Sequence, residues 1–124
     1  MKVALGVLNY NDADNTLELL KKAVGYNVFE KIIVVDNASN DDSRIRLGSY
    51  CKCNKKLVFI ENTENKGYGA GNNIAAVRAD ELGIELLLIA NPDTGFDENT
   101  VIVLKSAMER NKNIEICAPL MESS

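Results

Sequence analysis

The chain has 124 residues, 46% of them hydrophobic and 26% charged, with a formal net charge of -4. That balance is ordinary for a soluble globular protein able to bury a core, and it argues against general affinity for a nucleic-acid backbone. Histidine is absent, which removes imidazole bases and His-based triads, and no run reaches the roughly 18 apolar residues of a membrane span.

In chain order, Val3 to Leu8 is expected as a first strand, too short and too quickly polar for a signal peptide. Asp14 or Asn15 can cap a helix with Leu17, Leu20 and Val24 on one face, and Gly25 is its expected stop. Ile32 to Val35 is a second strand, and Asp41-Asp42-Ser43 starts a short helix with little apolar pattern. A third strand, Leu57 to Ile60, precedes a helix over Ala70 to Leu82 with apolar positions at Ile74, Val77 and Leu82, closed by Gly83. Leu86 to Ala90 is uniformly apolar, the habit of a parallel strand buried on both faces. Asp97 then caps a helix that turns Val101, Leu104 and Met108 inward, and Ile114 to Ala118 is a last strand. Strand and helix alternate throughout, which predicts one α/β domain over residues 1–124: a mostly parallel sheet between helical layers.

Three cysteines, an odd number, fit reduced thiols in a cytoplasmic protein. A metal site on Cys51 and Cys53 would need two more ligands, and Cys117 is the one thiol left. No such site is expected.

A parallel sheet binds ligands outside the carboxyl ends of its strands, and there this chain turns polar. The strands run into Asn9-Tyr10-Asn11-Asp12, into Asp36 to Asp42, into the segment from Asn62 to Asn73 that reads NTENKGYGAGNN, and into Asn91-Pro92-Asp93. Each piece has an ordinary use. Asp93 after Pro suits a turn, Asp41 and Asp42 suit the first turn of a helix, and Asp36 can close a strand. Their convergence on one rim suits a nucleoside diphosphate. Tyr10 can lie against a base, Asp36 can accept from a base N–H or a ribose hydroxyl, and the glycine segment leads into a helix N-terminus that can receive an anion. A hard cation on Asp93 would offset the diphosphate charge, since Mg²⁺ takes one or two carboxylates plus phosphate oxygens.

The stretches VALGVLNYN, IIVVDNASNDDS, NKGYGAGNNIA and LLLIANPDTGF cover nearly the whole chain. In their order and spacing the chain resembles the family 2 glycosyltransferases of the GT-A fold, especially the rhamnosyltransferase-like branch. The resemblance implies that Leu8 to Tyr10 and Asp36 hold the base and ribose. It implies that the segment from Asn65 through Gly67 and Gly71 to Asn73 lies beside the nucleotide. Asp93 would end the metal-binding motif, with Asn91 at the position of its first acid and Mg²⁺ or Mn²⁺ as the cofactor. Two positions depart from the pattern: Asn9 stands where a threonine is usual, and Ala38 where a glycine is.

The implied reaction is transfer of a sugar, with inversion, from a UDP- or dTDP-sugar to a hydroxyl of a glycan or lipid-linked acceptor in polysaccharide biosynthesis. It would take place in the cytoplasm or at the cytoplasmic face of a membrane. Residues 1–124 correspond to the nucleotide-sugar-binding part without an acceptor-binding half. The general base therefore has no candidate, because Asp97 and Glu98 read as a helix cap and a first-turn acid. A non-catalytic nucleotide-sugar binder or regulatory module is the alternative. An apolar face left by the missing half would favour self-association. A dinucleotide-binding domain would carry its glycines after the first strand, whereas here they follow the third. A phosphoacceptor receiver would need a lysine after the fifth strand, where Ala118-Pro119 stands.

Overall fold

In a computed structural model that describes residues 1–110 and 117–120, the chain runs β1 (Val3–Asn9), α1 (Ala13–Ala23), β2 (Phe29–Asn37), α2 (Ser43–Cys51), β3 (Leu57–Asn62), α3 (Tyr68–Glu81), β4 (Leu86–Ala90), α4 (Glu98–Arg110) and β5 (Cys117–Leu120). Every residue of β1 and β4 is buried, as expected of strands covered on both faces. The sheet order is β3-β2-β1-β4-β5, and all four pairings are parallel. Of the last strand foreseen over Ile114 to Ala118, the first three positions lie outside the described residues.

Alternation along the strands divides the core. Val3, Leu5, Val7, Ile32, Val34, Leu86 and Leu88 pack with α1, α2 and Val101 of α4. Ala4, Leu8, Ile33, Val35, Leu87 and Ile89 pack with α3. The chain steps outward from β1 through β2 to β3, then returns across the sheet to set β4 against the free side of β1. The β3-to-β4 crossover runs in the reverse direction, and right-handedness sets α3 on the opposite face from α1 and α2.

Small residues bring α3 close to the sheet. Its buried positions are Gly71, Ala75 and Ala79, not the row led by Ile74, Val77 and Leu82. Val77 is 54% exposed, while Ile74 and Leu82 pack at the margins. A Cβ on Gly6 of β1 would meet Ile89 Cδ1 at 2.8 Å and Ala75 Cβ at 3.7 Å, and one on Gly71 would collide with Leu8. Bulk, which guides a reading by hydrophobicity, is excluded at this contact.

Helix α1 starts at Ala13, with Asp12 at the cap position, earlier than the Asp14 or Asn15 cap foreseen. Its inward face is Thr16, Leu19, Leu20 and Ala23, with Leu17 and Val24 partly buried beside them. A polar residue faces inward because the Thr16 hydroxyl donates to buried Asn9 Oδ1 at 2.6 Å. Asp97 does cap α4, its Oδ1 accepting from the Thr100 amide at 2.8 Å. Gly83, at φ +74, ends the turn after α3 in the left-handed region that suits glycine.

Candidate functional site

At the carboxyl edge, where β1 and β4 lie side by side and the chain leaves them in opposite directions, a cleft of about 370 Å³ opens. Strand order reverses there, the usual position for a ligand in a doubly wound sheet. Leu8, Tyr10 and Asp12 come from the end of β1 and the turn after it, and Asn37 from β2. Asn65 and Tyr68 come from the approach to α3, and Asn91, Pro92 and Asp93 follow β4.

Three polar networks hold these walls. The first is buried. Asn9 Nδ2 donates to Asp36 Oδ1 at 3.0 Å and to Ser39 Oγ at 3.3 Å, while Asn9 Oδ1 accepts from Thr16. Ser39 donates to Asp36 through its amide at 3.0 Å and its hydroxyl at 2.6 Å. Above it, Asn11 and Asn40 exchange hydrogen bonds of 2.9 Å. Asn11 at φ +50 and Ala38 at φ +60 complete the two turns. Tyr10, 48% exposed, is thus carried between a buried anchor and a fixed turn.

The second network ties β2 to the approach to α3. Asn62 Nδ2 donates to Asn37 Oδ1 at 3.2 Å, and Asn37 Nδ2 donates to Asn65 Oδ1 at 2.9 Å and to the Gly67 carbonyl at 3.4 Å. Gly67, at φ +97, makes the turn into α3 that an L side chain rarely adopts. The third spans the cleft: the Tyr68 hydroxyl donates to Asn91 Oδ1 at 2.5 Å, and the Asn91 amide donates to Thr94 Oγ1 at 3.1 Å. Farther along that loop, Phe96 packs against Tyr26 and Phe29 with ring centroids 6.1 and 6.2 Å away. The segment carrying Asp93 is thus anchored at its far end.

Of the residues singled out in the sequence, Leu8, Tyr10, Asn65, Asn91 and Asp93 meet in the cleft. Gly67 and Gly71 shape its wall without lining it: the first turns the chain and the second admits Leu8. Asn73 is exposed on α3 and does not line the cleft. Asp36 is fully buried beneath it, its oxygens occupied by Asn9 and Ser39. Its neighbour Asn37 reaches the cleft instead. Strand parity carries the reason, since Asp36 continues the row of Ile32 and Val34 toward α1, and Asn37 the row of Ile33 and Val35 toward α3. That alternation separates the two side chains, while the face that carries α3 decides which of them meets the cleft. Tyr68 and Asp12 lie in the polar stretches that follow the strands in sequence, but nothing in those stretches set them apart as cleft residues.

Among the described residues the lining holds two carboxylates, Asp12 and Asp93, and no lysine or arginine. Asp12 accepts from Asn15 Nδ2 at 3.1 Å. Asp93 is exposed, and among the described residues its carboxylate takes no hydrogen bond or ion pair. Among those residues no three Asp, Glu or Cys side chains gather as a metal cage. One uncommitted carboxylate in an acidic cleft suits a divalent cation whose remaining ligands are phosphate oxygens and water.

A doubly wound α/β domain with a cleft at the switch point is therefore the class of protein defined here. Within that class, the family model for glycosyl transferase family 2 matches residues 5–123, and the chain belongs to that family. No curated protein matches it by sequence. Among solved structures it is similar to the mannosyltransferase PcManGT from Pyrobaculum calidifontis, determined in complex with GDP-Man and Mn2+. The TM-score is 0.70 at 24% identity, over 81% of this chain and 30% of that one. It is also similar to S. aureus TarS 1-349, with a TM-score of 0.73 at 21% identity, over 90% of this chain and 33% of that one. These likenesses establish a shared fold, and the chain spans about a third of either structure.

Proposed function

We propose that this chain is the donor-binding part of an inverting glycosyltransferase acting on a nucleoside-diphosphate sugar. One observation carries the reading: in a member of family 2, Tyr10, Asn91 and the uncommitted carboxylate of Asp93 converge on one cleft at the switch point. Tyr10 and Leu8 offer a half-exposed ring and an apolar floor to the base, and Asn37 and Asn65 line the wall beside it. Asp36 fixes the two loops from beneath, and Gly67 and Gly71 let α3 approach. Asp93 would hold Mg²⁺ or Mn²⁺, which when bound supplies positive charge to the leaving diphosphate.

In the reaction an acceptor hydroxyl oxygen bonds to the anomeric carbon as the bond from that carbon to the diphosphate oxygen breaks. The electron pair leaves with the diphosphate, and the hydroxyl proton passes to a base. Asp97 and Glu98 are not that base. Asp97 is engaged with Thr100, and Glu98 Oε2 accepts from the Val28 amide at 3.1 Å. We assign the base and the acceptor site, as the family resemblance implies, to a partner segment or domain. No helix among the described residues is long and apolar enough to cross a membrane. The reading places the chain in the cytoplasm or at the cytoplasmic face of a membrane, with a glycan or lipid-linked acceptor. The Asn-Pro-Asp form of the motif supports the rhamnosyltransferase-like branch.

A thermal-shift panel tests the reading with UDP, dTDP, GDP and their sugars, with and without Mn²⁺ or Mg²⁺. Ligand at ten times its Kd adds about 1.4 kcal/mol of stability, on the order of several degrees for a domain of this size. The expected result is a metal-dependent shift with one nucleotide, lost in Asp93→Ala. The absence of a shift with every nucleotide overturns it.

A further inference from the structure

Tyr68 is half exposed on the wall of the cleft, and its hydroxyl reaches across to Asn91. An asparagine amide has two ends of opposite character, an oxygen that only accepts and a nitrogen that only donates. Free to rotate, Asn91 could offer a ligand either end. The Tyr68 hydroxyl donates to the oxygen at 2.5 Å. Among the described residues, no group accepts from Asn91 Nδ2. The backbone beside it is held as well, the Asn91 amide donating to Thr94 Oγ1 and the Thr94 amide to the Asn91 carbonyl at 2.9 Å.

The hydroxyl itself is well placed to hold that orientation. Tyr68 is the first residue of α3, set by the turn at Gly67, and the same turn of helix is seated on β1 by the close approach of Gly71 to Leu8. A donor fixed on a packed helix holds its partner more firmly than one on a free loop.

We propose that Tyr68 is a positioning residue. It turns the Asn91 amide so that Nδ2 donates to an oxygen of the bound nucleotide, leaving Asp93 as the motif's one anionic group. This rests on the reading of the cleft as a nucleotide site. It makes the two ends of Asn91-Pro92-Asp93 chemically distinct: a neutral donor toward the ligand and a carboxylate toward the cation.

Calorimetric titration of the chain with UDP, dTDP and GDP at saturating Mn²⁺ tests it. For the nucleotide that binds, Tyr68→Phe is expected to weaken Kd about three- to ten-fold, the range of one hydrogen bond. Its circular dichroism and Tm should stay unchanged, because the ring remains. In an Asn91→Ala background the same substitution should change Kd by less than about two-fold, since its effect passes through Asn91. Asn91→Asp, which keeps an acceptor for Tyr68 but has no N–H, should weaken binding about ten-fold or more. Full affinity in Tyr68→Phe, an equal loss in the Asn91→Ala background, or tighter nucleotide binding in Asn91→Asp each overturns the proposal. If no nucleotide binds the unaltered chain, the nucleotide-site reading itself fails, and this inference falls with it.

Discussion

Asn9→Ala removes the residue on which both sides of the β1–α1 turn depend. Asn9 is fully buried, as are its partners Thr16 and Asp36. The substitution deletes the 3.0 Å bond to the Asp36 carboxylate and strands the Thr16 hydroxyl, which had donated at 2.6 Å. A hydrogen bond to a charged group contributes about 1.5–3 kcal/mol, and a buried group left unpaired costs about 1–3 kcal/mol. Asp36 still accepts from both Ser39 groups, so the lower ends of these ranges apply, and the sum is about 2.5 kcal/mol. At about 4 °C per kcal/mol for a domain of this length, Tm should fall by roughly 10 °C. Adding Thr16→Val removes the stranded hydroxyl and should return about 1 kcal/mol, because replacing both partners by apolar groups is far less costly than orphaning one. Scanning calorimetry of the two variants reads both numbers. A fall below about 3 °C, or a double variant no more stable than the single one, would refute the reasoning.

Gly71→Ala sets helix propensity against space. Alanine favours a helix over glycine by about 1 kcal/mol, but its Cβ would press on Leu8 (3.0 Å to Cδ2), and overpacking costs about 1–3 kcal/mol. The variant should be no more stable than the parent and should bind nucleotide more weakly, with Leu8 pushed into the cleft; a rise in Tm of several degrees contradicts this. Burial pushes the Cys51 thiol up to about 11, while Cys53 is exposed. At pH 8 iodoacetamide should label Cys53 and spare Cys51 until the chain unfolds, as residue-resolved mass spectrometry would show. A thiol with a raised pKa favours the fold below its unfolded pKa, so stability should decline from about pH 9 toward 11, and less steeply in Cys51→Ala. Hydrogen bonds from the Thr100 amide and hydroxyl hold the Asp97 carboxyl below its ordinary range. Its support for α4 is therefore present above about pH 4 and lost as pH falls through the folded pKa. Asp97→Asn, a neutral cap, should remove that acid dependence of amide exchange at the start of α4.

Much of this protein was determined locally. Leu86 to Ala90 is apolar at every position, so a buried parallel strand was legible from five letters, and the structure places β4 over those same residues. The helix before it ends at Gly83 for a reason internal to the backbone, its positive φ. The polar rim was legible too, because side chains that follow an apolar strand in a parallel sheet must collect at its carboxyl edge. Five of the residues singled out there do meet in one cleft.

Tertiary structure decided what periodicity leaves open. Alternation says that Asp36 and Asn37 point to opposite faces but not which face carries α3; the crossover from β3 to β4 settles that, burying Asp36 and bringing Asn37 to the cleft. The contact between Tyr68 and Asn91, like the choice of small residues on α3 over Val77, exists because a helix and a strand distant in sequence are brought close in space. A linear pattern records how each element would bury itself, while the partner it is buried against is set by the path of the chain.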